Sequence, residues 1–182
     1  MLNKDVREKK TSIISVRVGD EIKNKLRVES EMSNLSLNTL ISQILYKHVR
    51  WDRFAEDMGF VFLTKAFLRS LLEHIDETTI TRIAVTTCRG AIKDAVLYME
   101  GELTLGSFLE ALDTWLEASH IPFRHIENNG TDKYVIQHDL GKKWSIYLSA
   151  VINSILNEIG FAARNQKSEE QSLTFEVEKI HK

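Results

Sequence analysis

The chain has 182 residues, of which 43% are hydrophobic and 27% charged, and its net charge is −2 at neutral pH. That is the composition of a globular protein, and so small a net charge excludes a chain that binds polyanions over its whole surface. A single cysteine, Cys88, excludes an intrachain disulfide framework, and no apolar run reaches the ~18 residues that a membrane span needs.

The charge is unevenly placed. Residues 1–53 hold 11 Lys and Arg against 7 Asp and Glu, a net +4, and the remainder holds 13 against 19, a net −6. A basic N-terminal part on an acidic body suits nucleic-acid contact at one end. The opening M-L-N-K-D-V-R-E-K-K has no apolar core of a signal peptide, so a cytoplasmic protein is expected. Residues 1–11 are charged without an apolar period and read as a flexible basic arm.

From Ile14 to Val18 apolar and polar residues alternate strictly. Ile14, Val16 and Val18 share one face; Ile13, Ser15 and Arg17 share the other. Period two marks a strand with one buried face. One short strand is unstable alone, and the next apolar pattern is helical, so its mate lies elsewhere. The same strand of a second chain, antiparallel about a two-fold axis, is the simplest mate; an edge of a larger sheet is the alternative. A two-stranded ribbon fits the major groove of B-DNA and would present Ile13, Ser15 and Arg17 outward.

Gly19-Asp20 closes the strand, with Asp20 the expected N-cap of a helix bearing Ile22, Leu26 and Ser30 at helical spacing. It is expected to stop near Ser33-Asn34, with Asn34 in the left-handed conformation and Leu35 as an apolar plug. Ser36 caps a second helix with Leu37, Leu40, Ile41, Ile44, Leu45 and Val49 on one side.

Strand, helix, N-L-S turn and helix over residues 12–50 resemble the ribbon-helix-helix family of DNA-binding repressors (Arc, methionine-repressor and CopG-like). The resemblance covers about a quarter of the chain. It implies a homodimer that reads bases with Ile13, Ser15 and Arg17. It also implies a phosphate clamp at the start of the second helix, made by Ser36, Leu37 and Asn38. Lys9, Lys10 and Thr11 complete the expected phosphate contacts. Ile13 departs from the pattern, since a polar reader is more usual there; an apolar side chain suits a thymine methyl instead.

Tyr46, His48, Trp51, Phe54, Ala55 and Met58 continue the stripe of the second helix to Gly59, so residues 12–58 form one expected module. Phe60 to Leu63 reads as a short buried run. Thr64 caps a helix bearing Ala66, Phe67, Leu71 and Ile75. After a turn at residues 76–79, Ile80, Ile83, Ala84, Thr87, Ala91, Ala95 and Met99 make the cleanest amphipathic stripe, ended by Gly101. Gly90 inside that helix suggests close approach of another element. Thr104 caps a helix with Leu105, Phe108, Leu109, Leu112 and Leu116 inward.

After Pro122 the period becomes two: Phe123–Glu127 and Lys133–Asp139 flank Asn128-Asn129-Gly130 as a hairpin. A helix from Lys142 or Lys143 to Ile159 comes next. A second hairpin pairs Phe161–Arg164 with Leu173–Val177, with Leu173, Phe175 and Val177 inward. The expected fold class is therefore α+β: a ribbon-helix-helix unit, a helical segment, and a β-β-α-β-β antiparallel sheet in a domain over residues 60–182. That domain weakly resembles the vinyl-reductase-like and haem-NO-binding sensory domains in topology, and no ligand residue carries across.

His120, His125 and His138 with Cys88 are the residue types of a zinc set, but their spacing matches no tight metal motif. The turn at 137–145, Q-H-D-L-G-K-K-W-S, offers an anion site at a helix N-terminus or merely a tight turn with Lys142 and Lys143 solvated. Cys88 reads as core rather than as a redox sensor. Catalytic signatures are missing, so no enzyme, cofactor or metal is expected. The expected function is transcription regulation as a homodimer or higher oligomer on double-stranded DNA, with an effector or oligomerising role for the C-terminal domain and no membrane partner. The alternative is an antitoxin or segregation-type DNA-binding protein whose C-terminal domain grips a protein partner.

Overall fold

A computed structural model describes residues 12–128 and 130–180. The chain divides between Leu45 and Tyr46 into two compact units. This lies earlier than the boundary at residues 58–60 expected from the hydrophobic pattern, because residues 46–58 pack with the C-terminal part of the chain. Arg50 Nη2 donates to Thr114 Oγ1 at 2.8 Å, and the Trp51 ring meets Phe60 edge-on at 4.9 Å.

In the N-terminal unit, residues 12–19 form no regular element within the single chain. The strand expected over residues 12–18 is thus not formed here; a ladder needs a second strand, and none of the described residues supplies one. The first helix, α1 (Asp20–Met32), is preceded by Gly19 as N-cap, one residue before the Asp20 cap expected. Its end agrees closely with the sequence. Asn34 sits at φ 53°, Leu35 N–H donates to Ser30 O at 2.8 Å, and Asn34 N–H donates to Glu31 O at 3.1 Å. These are the two bonds of a Schellman motif. Helix α2 (Leu37–Lys47) comes next, and helical bonding continues through a π turn (His48–Asp52) into α3 (Arg53–Ala55).

The C-terminal unit holds a continuous hydrophobic core. Gly59, at φ 74°, turns the chain out of the helix, and residues 60–63 then form no regular element. The buried run expected there is corrected: Phe62 is 95% exposed and the other three are exposed too, since no strand among the described residues pairs with this segment. Thr64 caps α4 (Lys65–Glu73), its hydroxyl accepting from Phe67 N–H. Leu72 is the buried residue of α4, whereas Phe67 and Leu71, expected inward, face out. Asp76 caps α5 (Glu77–Thr87), which passes through a second π turn (Cys88–Ile92) into α6 (Lys93–Glu100). Gly90 lies in that π turn, and a Cβ built on it meets nothing within 4 Å, so the close approach expected there is absent. Thr104 and Ser107 form a reciprocal capping box at the start of α7 (Leu105–Ala118).

Strands β1 (Phe123–Asn128) and β2 (Thr131–Gln137) form the first hairpin, with Gly130 at φ 78° in its turn. Helix α8 (Lys142–Glu158) leads to β3 (Phe161–Ser168) and β4 (Ser172–Lys179). All pairings are antiparallel in the order β1-β2-β4-β3, giving one four-stranded sheet. Strand β3 runs further than expected, past a bulge between Arg164 and Lys167 with Asn165 at φ 51°. Tyr134, Ile136, Leu173, Phe175 and Val177 point into a core shared with Leu116, Leu148, Ile152, Ile155 and Leu156. The α+β class holds. Among the described residues no helix is long and apolar enough to cross a membrane.

Candidate functional site

The base-reading residues expected from the sequence lie on the irregular segment before α1. Ile13 is 97% exposed, and Ser15 and Arg17 are exposed beside it. Ile14 and Val16, which should face a core, are 72% and 71% exposed in the single chain. Lys9, Lys10 and Thr11 fall outside the described residues. At the start of α2, Ser36 Oγ accepts from Thr39 N–H at 3.0 Å, and Ser36 O accepts from Leu40 N–H. Ser36 thus acts as the N-cap that its sequence position implied. The N–H groups of Leu37 and Asn38 have no intrahelical acceptor in a first turn and point away from the helix body, towards any anion placed there.

Sequence reasoning did not find a cluster in the C-terminal unit that joins α7 to the first hairpin. His125 on β1 stands opposite Tyr134 on β2 in register, and their rings stack at 4.2 Å. Its Nδ1 lies 2.9 Å from Asp113 Oδ2 and its Nε2 2.8 Å from Asp132 Oδ1. Tyr134 donates its hydroxyl to Asp113 Oδ1 at 2.7 Å. Burial opposes a charge on His125, but the hydrogen bonds to Asp132 and Asp113 outweigh it and raise the pKa. Burial and the bond to Asp113 push the Tyr134 phenol far up, so it stays a neutral donor.

This cluster borders an open cleft of about 500 Å³ that also contains Tyr46, Arg50, Glu110 and Glu127. Arg50 Nη1 pairs with Glu110 Oε1 at 2.8 Å. When His125 is protonated, both of its nitrogens donate to carboxylates, which leaves no lone pair for a base or a metal ligand in that form. The cluster is a clamp between α7 and the hairpin. Its register half was readable from the Asn-Gly turn, which sets residue 125 against 134; the contribution of Asp113 depended on helix placement.

The other groups singled out from the sequence are dispersed. His138 is fully buried, with Leu140 N–H donating to Nδ1 at 3.2 Å and Nε2 donating to Ser145 Oγ at 2.8 Å. Burial keeps it neutral, its pKa lowered despite nearby Asp139. His120 is exposed at φ 51°, and Cys88 is buried 3.7 Å from Val151 O. Among the described residues no group of His, Cys, Asp or Glu is placed to hold a metal ion.

The anion position at the N-terminus of α8 is taken by the chain itself, since Glu170 Oε2 accepts from Lys142 N–H at 3.2 Å. Lys142 and Lys143, read as solvated, instead donate to carbonyls, Lys142 to Ser168 and Lys143 to Glu73 and Ile75. Lys143 thereby covers the carbonyl end of α4.

The residues singled out near the N-terminus are thus exposed on one unit, and the His125 clamp ties α7 to the first hairpin in the other. The chain matches no protein-family model, no curated protein and no solved structure.

Proposed function

We propose that the protein is a sequence-specific DNA-binding transcription regulator that acts as a homodimer, with paired segments 12–18 forming a ribbon in the major groove. One observation carries this reading. Ile14, Val16 and Val18 alternate along one face and are exposed in the single chain, as are Ile22, Val28, Ile44 and Leu45 on α1 and α2. So many exposed apolar side chains in one short unit call for a covering surface, and a second copy of the same unit supplies it by symmetry. The pairing leaves Ser15 and Arg17 on the outer face, where Arg donates to guanine acceptors, and places two Ser36 helix starts over flanking phosphates.

The test is selection of duplexes from a random pool by the full chain. A two-fold symmetric site is the expected product, and failure to enrich any sequence sinks the proposal. Arg17→Ala should then weaken the selected site by about 1–3 kcal/mol per lost contact while leaving random DNA nearly unchanged. Ser36→Ala should weaken both alike.

A second reading, in which the C-terminal unit grips a protein partner as in antitoxin or segregation-type proteins, has its own support. The exposed run Phe60–Leu63 with Phe67 and Leu71 forms an apolar stretch of the kind that marks interaction surfaces. Co-purification of one stoichiometric partner from the native host, lost on Phe62→Ser, would favour it.

A further inference from the structure

The C-terminal unit contains a cavity of about 370 Å³, separate from the cleft beside His125. All three tryptophans of the chain, Trp51, Trp115 and Trp144, line it. The space opens to solvent on one side, where the half-exposed Phe60 stands, and an apolar cleft of this size walled by aromatic side chains is the usual form of a small-molecule site.

Its wall shows how the space is kept open. Both π turns among the described residues contribute to it: Trp51 from His48–Asp52, and Ala91 and Ile92 from Cys88–Ile92. A π turn shifts the side chains around it out of α-helical register, and such single turns concentrate at functional sites. One turn later the wall residue is Ala95, too small to reach the aromatic side chains that share the cavity.

The wall also states what the occupant is. Among the described residues, no Asp, Glu, Lys, Arg or His lines the cavity. A charged ligand would lose its hydration there with no counter-charge in return. The polar groups are few. Thr87 hydrogen-bonds the Tyr147 hydroxyl, whose pKa is raised by burial, so the phenol remains neutral. The Trp144 indole N–H is buried and has no acceptor among the described residues, a costly condition for a donor.

The geometry points to a binding site for a neutral, mostly apolar small molecule with one hydrogen-bond acceptor, such as an aryl ketone, to which the Trp144 N–H would donate. The volume falls in the range of about 300–1,000 Å³ usual for small-molecule sites. This assignment stands whether or not the N-terminal unit binds DNA, because every wall residue belongs to the C-terminal unit.

The probe is 6-propionyl-2-dimethylaminonaphthalene, a neutral ketone, titrated into the full chain without DNA while tryptophan emission is monitored. Saturable quenching at one probe per chain is expected, with at least tenfold weaker binding of 2-naphthoate. Ala95→Phe, which fills the space, should weaken the ketone at least tenfold. If that variant fails to fold, Ala91→Leu with circular dichroism as the fold control replaces it. Trp144→Phe should weaken the ketone several-fold but leave binding of 2-dimethylaminonaphthalene, which lacks the carbonyl, unchanged. The inference is overturned by any of three results: no saturable quenching, equal binding by the folded space-filling variant, or a change in oligomeric state on Ala95→Phe with probe binding intact. The last would mean that a side chain of a second copy occupies the space.

Discussion

The two units of this chain solve the problem of burial differently. Residues 46–182 enclose a core in which Tyr134, Ile136, Leu173 and Phe175 are fully buried against α7 and α8. Among described residues 12–45, only Ser30 and Leu40 are buried, and the apolar alternation of the first segment lies open. Both units carry equally clear hydrophobic periods. Periodicity therefore tells which face of an element is to be covered and is silent on whether the cover comes from the same chain. A unit of some 40 residues is below the size at which a single core sustains itself, which is the physical ground for expecting a second copy.

The contrast is broken most completely by a charge on the uncovered face. Val16→Asp would bring two carboxylates together near a two-fold axis, so dimerisation and duplex binding should both be lost, with the C-terminal unit still folded by circular dichroism. A variant that remains dimeric and binds DNA would remove the reason for pairing the segments. A cavity in the closed core is the next largest effect. Phe175→Ala should destabilise the C-terminal unit by about 3–5 kcal/mol, measured by urea denaturation, with a midpoint independent of protein concentration. Val16→Ala should instead give a midpoint that rises with concentration. If both midpoints behave alike, the two units share one mode of stabilisation and the comparison fails.

The smallest effect concerns pH and sharpens the account of the closed unit. His125 gains a positive charge stabilised by Asp132 and Asp113, so its folded pKa lies above the ordinary 6.5. Its contribution is complete below that ordinary value and is lost as pH rises through the raised one. Thermal stability should therefore fall across this interval, and His125→Gln should flatten the fall. An unchanged slope in the variant would place the pH dependence elsewhere.

Much of the fold was legible because local chemistry and tertiary structure agree. Asn34 ends α1, Thr64 and Thr104 cap helices, and the Asn-Gly turn sets the first hairpin. The failures share a cause as well. Phe60–Leu63 has the composition of a buried run, but composition carries no information about what covers it, and the segment pairs with no strand among the described residues. Gly90 has the sequence context of a contact point and instead lies in a π turn with open space where a side chain would be. The outward face proposed for Ile13, Ser15 and Arg17 came from alternation before Gly19, and the base-reading role proposed for them from the ribbon-helix-helix resemblance. The His125 clamp stayed hidden because Asp113 reaches it from 12 residues away on another element.

The central claim is that residues 12–18 form an antiparallel ribbon with a second copy, and amide hydrogen exchange on the full chain at micromolar concentration tests it most directly. In such a ladder residues alternate between those whose N–H groups bond across the pair and those whose N–H groups face outward. Alternate amides from Ser12 to Val18 are therefore expected to exchange orders of magnitude more slowly than an unstructured peptide, and to lose that protection on dilution or on Val16→Asp. Uniform exchange at unstructured rates in a folded protein would contradict the ribbon.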